Sequence, residues 1–433
     1  MSKTDMESTS GQRLLSLDVF RGVTIAAMVV VNNPGTWSAV YPQLKHAEWH
    51  GWTVTDFVFP FFVFIVGVAI PLALGKRIEN GTTSREVSLR ILYRSFVIFG
   101  LGLFQMGFPF FDPSKTDLSP YVQIPVFIGL ILCAGFFIAD RFKASIVAVA
   151  AVAAILACAY LFDQGFPFER MERIRIMGVL QRLALCYFFA ALIFIRTGWK
   201  SQIGIACVLL LTYWGLMHFG GGGDLSPEGN FSGYIDRMIL GEEHIWRSSK
   251  VYDPEGLLST IPAIATCLIG VLCGSLINRK QIPLESRINP MFVIGFALTA
   301  MGWVWSFWFP INKPIWTSSY ALYTSGIAMI FLASLMYLID VRSYKRWTYP
   351  FMVFGVNALA LYFASSILTR IMLAIKVDSI EGKTIHSQRW IYDSFFKPLA
   401  DPMDASLIFA LVYLLLWYLL MWALYKKRIF IKV

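Results

Sequence analysis

The fold of this chain is decided by the stretch TDFVFPFFVFIVGVAIPLAL, which covers residues 55–74. It contains one charged side chain, Asp56, near its beginning. An α-helix of about 20 mostly apolar residues crosses the hydrocarbon core of a membrane and satisfies its own backbone hydrogen bonds in lipid. The stretch therefore predicts a membrane-spanning helix.

Similar apolar runs follow one another along almost the whole chain. The candidate spans are residues 17–33, 55–74, 89–109, 121–139, 144–162, 176–195, 201–219, 257–277, 289–309, 318–339, 350–375 and 405–425. The 433 residues are 57% hydrophobic and 15% charged, whereas soluble domains average about 45–50% apolar and about 25% charged residues. We therefore expect an all-α polytopic integral membrane protein with about 12 transmembrane helices, in a range of 10–12.

No long polar linker separates these runs, so we expect a single membrane domain. Its expected parts are a flexible N-terminus at residues 1–16, a membrane domain at residues 17–425 with outer loops at residues 32–55, 220–256 and 376–404, and a basic tail at residues 426–433. The first apolar run lacks a small-residue cleavage site and contains Asp18 and Arg21, which makes it a poor signal peptide.

The charges predict the orientation of the chain in the membrane. Lys and Arg are retained on the cytoplasmic side, and most of the 37 basic residues fall in the segments that lie inside if the N-terminus is inside. The other loops carry most of the 27 acidic residues. We expect both termini in the cytoplasm, and we attribute the net charge of +10 to this anchoring rather than to a nucleic-acid partner.

The cysteines and the charges inside the spans each have an expected structural role. The six cysteines fall in apolar runs without a CxxC pair, so neither a disulfide framework nor a metal site is predicted. A charge at a helix centre in lipid costs at least ~2.5 kcal/mol. Asp18 and Arg21, three residues apart, fit an ion pair on one helix face. The adjacent Gln181 and Arg182 predict a polar cavity.

The loop between the first two spans contains the densest group of chemically active side chains. They are Asn32, Trp37, Tyr41, His46, Glu48, Trp49, His50 and Asp56. A histidine takes or gives a proton near neutral pH and also accepts acyl groups as a nucleophile. The residue types alone also leave open a structural loop histidine, and the aromatic rings fit an interfacial belt, packing or stacking on sugars.

Several ordered blocks of the sequence resemble one known family. The blocks are SLDVFRG at 16–22, VN at 31–32, KHAEWHGWTVTDFVFP at 45–60, RIMGVLQR at 175–182, GYIDR at 233–237, YDPEGLL at 252–258, NK at 312–313 and WTSSY at 316–320. Together they resemble the heparan-alpha-glucosaminide N-acetyltransferase family, in a compact form like its bacterial members. The resemblance implies a multi-pass enzyme of the inner membrane that passes the acetyl group of cytoplasmic acetyl-CoA to a glucosamine amine on the opposite side.

The resemblance also implies which residues carry the reaction. His46 matches the active-site histidine of the family and Asn32 its polar partner, and a homodimer is implied. This chain departs from the family in carrying His50 where Asn is usual, so either imidazole remains open as the acting group. It also lacks the large luminal N-terminal region and first span of the animal enzymes and has an extra helix pair near residues 121–162.

The expected site has three groups of residues. The catalytic group is His46, Asn32 and Asp56, with His46 as general base or acetyl-accepting nucleophile and Asp56 orienting an imidazole or capping the second helix. The expected substrate-binding residues are Trp49, His50, Gln181, Arg182, Asp253 and Glu255. The residues expected at the phosphates of acetyl-CoA, with membrane anchoring as the alternative role, are Arg13, Arg21, Lys76, Arg77 and Arg94. Asn32, Gln181 or Arg182 are expected to donate to the oxyanion.

Two other functions fit the same residues. A sugar or amino-sugar transporter related to N-acetylglucosamine would use the same aromatic rings and carboxylates, although no internal repeat is visible. An acyltransferase for another cell-surface glycan would keep His46 and change the outer loops. The sequence does not fix the acceptor.

Overall fold

A computed structural model describes residues 14–79, 81–110, 120–138, 142–161, 173–279, 281–378 and 384–431. The helices are α1 (Leu15–Asn32), α2 (Val58–Glu79), α3 (Ser84–Gly107), α4 (Pro120–Ile138), α5 (Phe142–Leu161), α6 (Val179–Arg196), α7 (Trp199–Gly215), α8 (Phe231–Leu240), α9 (Thr260–Ile277), α10 (Leu284–Trp305), α11 (Ser318–Met336), α12 (Tyr349–Val356), α13 (Ala358–Ala374), α14 (Ser387–Ile391) and α15 (Pro402–Lys426). Two short strands, β1 (Lys376–Asp378) and β2 (Thr384–His386), form an antiparallel pair.

The protein is a multi-pass membrane protein, as the sequence predicts. Among the described residues, nine helices are long and apolar enough to cross a membrane, and the bent pair α12 and α13 makes a tenth. The remaining two expected spans correspond to α4 and α5, whose described apolar parts, Ile124–Gly135 and Ser145–Ile155, are shorter. The described structure therefore supports nine or ten spans.

The expected span at residues 350–375 is broken at Asn357. The axes of α12 and α13 differ by 79°. The Asn357 amide donates to the backbone oxygen of Ile429 at 3.1 Å and accepts from the backbone nitrogen of Ile431 at 2.8 Å. Asparagine side chains compete in this way with helical backbone hydrogen bonds. The break therefore coincides with a docking point for the tail.

Two expected outer loops contain regular structure. The loop at residues 220–256 includes α8, whose N-cap Asn230 accepts a hydrogen bond from the Gly233 nitrogen at 2.7 Å. The loop at residues 376–404 includes β1, β2 and α14. The β-pair is a small exception to an otherwise helical fold within the described ranges.

Glycines allow α2 and α9 to pack closely at the centre of the bundle. A Cβ placed on Gly67 would come within 2.0 Å of the Cys267 backbone oxygen, and one on Gly270 within 2.2 Å of the Phe64 oxygen. The two backbones approach so closely that these positions have no room for a side chain larger than that of glycine, as is common where membrane helices meet. This contact fixes the position of α2, which begins two residues after Asp56.

The two described ends of the chain lie at the same end of the bundle. Gly355 of α12 contacts the backbone of Asp18 in the first turn of α1. The tail reaches the same place through Asn357. Because α1 runs from this end to Asn32, the loop that contains His46 lies at the opposite end.

Candidate active site

His46 and Asp56 form a hydrogen-bonded pair at the mouth of the bundle. The His46 Nδ1 and Asp56 Oδ1 atoms are 2.7 Å apart. The Asp56 side chain is only 1% exposed, whereas that of His46 is 48% exposed. A buried carboxylate at this distance fixes the ring with its Nδ1 proton toward Asp56. The other ring nitrogen, Nε2, is then free to act as a base or nucleophile.

The second carboxylate oxygen of Asp56 holds the loop in place. Asp56 Oδ2 accepts from the backbone nitrogens of Ala47 at 3.0 Å and Thr53 at 2.9 Å. With the Thr53 hydroxyl, this forms a capping box on the short 3₁₀ turn Val54–Phe57 that leads into α2. Asp56 therefore contacts the His46 ring with one oxygen and closes the capping box with the other, as the third residue of the turn, whereas Thr53 is at the N-cap.

Lys313 joins this pair from the loop between α10 and α11. Its Nζ atom lies 2.9 Å from His46 Nδ1, 3.1 Å from His46 Nε2 and 3.6 Å from Asp56 Oδ1. The Lys313 side chain is 15% exposed. Burial lowers the pKa of Lys313, while the charges of Asp56 and Glu255 act in the opposite direction. Lys313 belongs to the NK motif at 312–313, from which the sequence alone predicts no role for it.

The loop that carries Lys313 is fixed by neighbouring polar groups. Asn312 accepts from the Ile315 nitrogen at 3.0 Å through its side-chain oxygen. Its amide nitrogen is 3.3 Å from His50 Nδ1. At the start of α11, the Tyr320 hydroxyl donates to the Asp56 backbone oxygen at 2.5 Å. These contacts hold the lysine loop and the histidine loop against each other.

His50 and Trp49 serve the contact between outer loops. Burial lowers the pKa of His50, which favours its neutral form. The Trp49 indole donates to the Leu225 backbone oxygen at 2.7 Å, and its ring contacts Tyr252 with 4.9 Å between centroids. Within the described residues, the partners of His50 differ from those of His46, since His50 faces Asn312 rather than a carboxylate.

Asp253 and Glu255 bind Arg175. The Arg175 guanidinium donates to both oxygens of Asp253, at 2.8 and 2.5 Å, and also to Glu255. Burial alone would raise the pKa of Glu255, but Arg175, Arg182 and Lys313 hold it below its ordinary value. Breaking such a buried pair is costly. Both carboxylates therefore form ion pairs within the protein, and their role in substrate binding stays a prediction.

Gln181 and Arg182 lie inside the fold and are fully buried. Arg182 donates to the backbone oxygens of Pro254 at 2.8 Å and Gly256 at 3.1 Å, and its guanidinium lies 5.1 Å from the Trp316 ring centroid. Both polar atoms of Gln181 lack a hydrogen-bond partner within the described structure. Arg182 thus supports the segment that carries Asp253 and Glu255.

Asn32 lines a large cavity beside the histidine cluster. The cavity measures about 1170 Å³ and lies between the ends of α1, α3 and α13 and the β-pair. Its polar and charged lining residues are Asn32, Asn33, Gln105, Arg247, Ser248, Tyr362, Ser365, Ser366, Thr369, Arg370, Lys376, Thr384, His386 and Gln388. Among the described residues that line it, Arg247, Arg370 and Lys376 are basic and none is an aspartate or glutamate.

Two connections link the cavity to the histidine cluster. Trp246 lines the cavity and contacts Tyr252, whose ring contacts Trp49. On the other side, the charges of Glu255 and Arg175 act on Tyr362 in the cavity wall. The two sites are therefore neighbours, although His46 itself is not among the lining residues.

The residues expected at CoA phosphates lie in different settings. Arg21 pairs with Asp18 at 3.3 Å, as the ion-pair interpretation predicts. The Arg94 guanidinium lies 4.9 Å from the Tyr187 ring centroid, and Arg77 is exposed near the end of α2. Arg13 and the side chain of Lys76 lie outside the described residues.

Comparison with known proteins identifies relatives of this chain. The chain is 27% identical to the mouse heparan-alpha-glucosaminide N-acetyltransferase, in an alignment that covers 98% of the chain and 61% of that protein. The chain is a distant relative of the heparan-alpha-glucosaminide N-acetyltransferases. The human protein of the same name is 28% identical, with 81% of the chain and 52% of the relative covered. These matches confirm the resemblance found in the sequence.

The chain spans about three fifths and about half of the length of these two relatives. A family model described as a domain of unknown function, DUF5009, matches residues 13–215. That match contains α1, the histidine loop and Arg182, whereas Lys313 lies beyond it.

Proposed function

We propose that this protein is a transmembrane acetyltransferase that moves the acetyl group of cytoplasmic acetyl-CoA to the amino group of a glucosamine-type sugar on the other side of the membrane. The observation that carries the proposal is the contact of His46 with buried Asp56 at 2.7 Å. A carboxylate that orients a half-exposed imidazole is a recurring arrangement for base and nucleophilic catalysis. The distant relationship to N-acetyltransferases supports the reaction class.

In this proposal Nε2 of His46 is the reacting atom. It either removes a proton from the acceptor amine or takes the acetyl group itself and passes it on. Asp56 holds the ring and stabilises the positive charge that the imidazole gains. His50 has no carboxylate partner in its described contacts, so we assign the chemistry to His46.

The cavity next to the cluster is the proposed acceptor site. Arg247, Arg370 and Lys376 line it without a carboxylate among the described lining residues. Arginine in particular binds carboxylate, sulfate and phosphate groups through paired hydrogen bonds. An acceptor with anionic groups next to its amino sugar fits this lining better than a neutral sugar.

The orientation follows from the charges. Both described chain ends lie at the end of the bundle opposite His46. With the basic segments in the cytoplasm, the proposal assigns His46 to the extracytoplasmic side of an inner membrane. Acetyl-CoA would then approach from the cytoplasmic end, with Arg21, Arg77 and Arg94 as its proposed phosphate partners.

The first prediction tests the histidine in sealed proteoliposomes loaded with labelled acetyl-CoA and supplied with glucosamine outside. We expect labelled N-acetylglucosamine to form outside with the wild type. His46→Ala is expected to lower the rate by at least ~100-fold, since it removes the base or nucleophile.

His218→Ala is the matched control, because His218 is an exposed histidine at the end of α7 without a contact to His46 among the described residues. Undiminished transfer by His46→Ala would rule out the proposed mechanism. Uptake of labelled N-acetylglucosamine without acetyl-CoA would instead support the transporter alternative.

A further inference from the structure

We propose that Lys313 supplies the positive charge that stabilises the oxyanion formed when the acetyl group is transferred through His46. The inference rests on the proposed acetyl transfer and adds a catalytic residue to it. Within the described residues, the polar side-chain contacts of His46 are with Asp56 and Lys313. The contact with Asp56 explains the orientation of the ring, but it does not explain why Lys313 lies beside the ring.

The position of Lys313 relative to the ring leaves His46 free to react. Its Nζ atom is 2.9 Å from Nδ1 and 3.1 Å from Nε2. An atom in the ring plane at similar distances from both nitrogens would collide with the ring carbons, so Nζ lies out of that plane. The Nε2 lone pair lies in the plane. It therefore remains available to an acetyl carbon while the ammonium stays beside it.

Two carboxylates favour the ammonium form of Lys313, whereas burial lowers its pKa. Its Nζ lies 3.6 Å from Asp56 Oδ1, and the charge of Glu255 also acts on it. The charge of Arg182 acts in the same direction as burial and lowers the pKa of Lys313. Electrostatic interactions are stronger in such a poorly hydrated setting than in water. A preorganised ammonium there stabilises any negative charge that develops next to Nε2.

The chemistry creates that negative charge twice. Nε2 attacks the thioester carbon, and the carbonyl electron pair moves to oxygen. The oxyanion collapses, the C–S bond breaks, and the CoA thiolate leaves and takes a proton from water. The acceptor amine then attacks the acetyl carbon, a second oxyanion forms, and the bond from carbon to Nε2 breaks. The amine proton passes through Nε2 to solvent.

In both steps the charged oxygen is two bonds from Nε2. An ammonium 3.1 Å from Nε2 is therefore within hydrogen-bonding reach of this oxygen. The donors that the sequence suggested are placed differently. Arg182 is occupied by backbone oxygens, Gln181 is fully buried, and Asn32 lines the neighbouring cavity.

The second prediction compares Lys313→Met with Lys313→Arg in detergent-purified protein. Loss of one oxyanion donor lowers kcat by about 10²–10³-fold in well-studied enzymes, so we expect Lys313→Met to lower kcat by about 100-fold. Its dissociation constant for acetyl-CoA is expected to stay within about twofold of the wild type, because the interaction forms in the transition state. Lys313→Arg keeps the charge and should recover at least a third of kcat.

A binding measurement provides a readout that does not depend on turnover. S-carboxymethyl-CoA puts a permanent negative charge where the acetyl group would lie. We expect Lys313→Met to weaken binding of this analogue by at least tenfold relative to acetyl-CoA, and Lys313→Arg to preserve the wild-type ratio. Lys313→Gln, which is uncharged but polar, should reproduce the loss, and it serves as the uncharged variant if Lys313→Met does not fold.

Lys45→Met is the matched control, since Lys45 is an exposed lysine next to His46 in sequence, and it should leave both quantities unchanged. An unchanged kcat, or an unchanged ratio of the two affinities, in an uncharged variant would overturn the role of Lys313 alone. Absence of acetyl transfer by the wild type would overturn the proposed function and this inference together.

Discussion

Asp236 is a buried carboxyl group in α8. One of its oxygens accepts from the Leu257 nitrogen at 2.8 Å, while the other has no hydrogen-bond partner in the described structure. Burial, together with the charge of Asp253, raises the pKa of Asp236 to about 7, although the Leu257 hydrogen bond and Arg182 oppose the shift. The folded protein therefore holds this proton more tightly than the unfolded chain does.

The third prediction follows from that difference. Between the pKa in the unfolded chain, about 3.9, and that in the folded protein, about 7, rising pH removes stability because the unfolded chain releases the proton while the folded protein still holds it. Asp236→Asn keeps an acceptor for Leu257 and removes the ionisable group. We expect it to raise the thermal midpoint by a few °C at pH 8 and by a smaller amount at pH 5, where only part of the stability has been lost, measured by thermal unfolding in detergent.

Asp224→Asn is the control, because burial contributes little at this exposed aspartate and its pKa is lowered by hydrogen bonds from Ser226. An equal gain for Asp236→Asn at both pH values would argue against a titrating carboxyl at this position.

Contacts between residues that are close in the sequence could be predicted from the sequence. His46 and Asp56 are ten residues apart in one loop, and a carboxylate at the start of a span was already unusual. Lys313 is 267 residues from His46, and its approach depends on how the helices pack. Asp253 and Glu255 were expected to bind substrate, which stays a prediction, whereas their ion pairs with Arg175, 78 and 80 residues away, were not predicted.

The contact between α2 and α9 determines where the start of α2 lies. Gly67 and Gly270 bring the two backbones together, and Gly274 approaches the Val68 oxygen in the same way. A larger side chain there must separate the helices. Because Asp56 stands just before α2, such a separation also moves the partner of His46.

The fourth prediction concerns this helix pair. Gly270→Leu is expected to lower the thermal midpoint strongly or to prevent folding, because overpacking a tight contact costs about 1–3 kcal/mol or more. Gly204→Leu in α7 is the control, since no atom lies within 4 Å of a Cβ built there. Detergent-purified yield and thermal unfolding provide the measurements, and equal behaviour of the two variants would contradict the close α2–α9 contact.

The positions of the helices could be predicted from hydrophobicity. The packing of helices against each other and the break within a span could not. Apolar length predicts a span regardless of its neighbours. The break at Asn357 depends on tail residues about 70 positions away, which no local pattern contains. The β-pair likewise depends on the contact of two polar segments in a loop that looked irregular.

The arrangement of the whole molecule separates the chain ends from the histidine loop. The tail and the start of α1 meet at one end of the bundle, and residues 32–57 lie at the other. The charge distribution alone predicted the same separation. The proposed function requires, in addition, that the end with the chain termini faces the cytoplasm.

The fifth prediction tests that orientation in intact cells with a membrane-impermeant thiol reagent. In a background without the six native cysteines, Glu48→Cys should react from outside, because Glu48 is exposed in the histidine loop. Lys427→Cys in the exposed tail should react only after permeabilisation. Labelling of the tail in intact cells would reverse the orientation and contradict transfer from cytoplasmic acetyl-CoA.

The cationic lining of the cavity makes the relative affinities of different acceptors depend on ionic strength. Attraction between Arg247, Arg370 or Lys376 and a ligand's sulfates or carboxylates weakens as dissolved ions shorten the Debye length, from about 30 Å at 0.01 M to about 8 Å at 0.15 M. Hydrogen bonds to uncharged hydroxyl groups change little over this range. The ranking of sugars measured in dilute buffer will therefore differ from the ranking at physiological ionic strength.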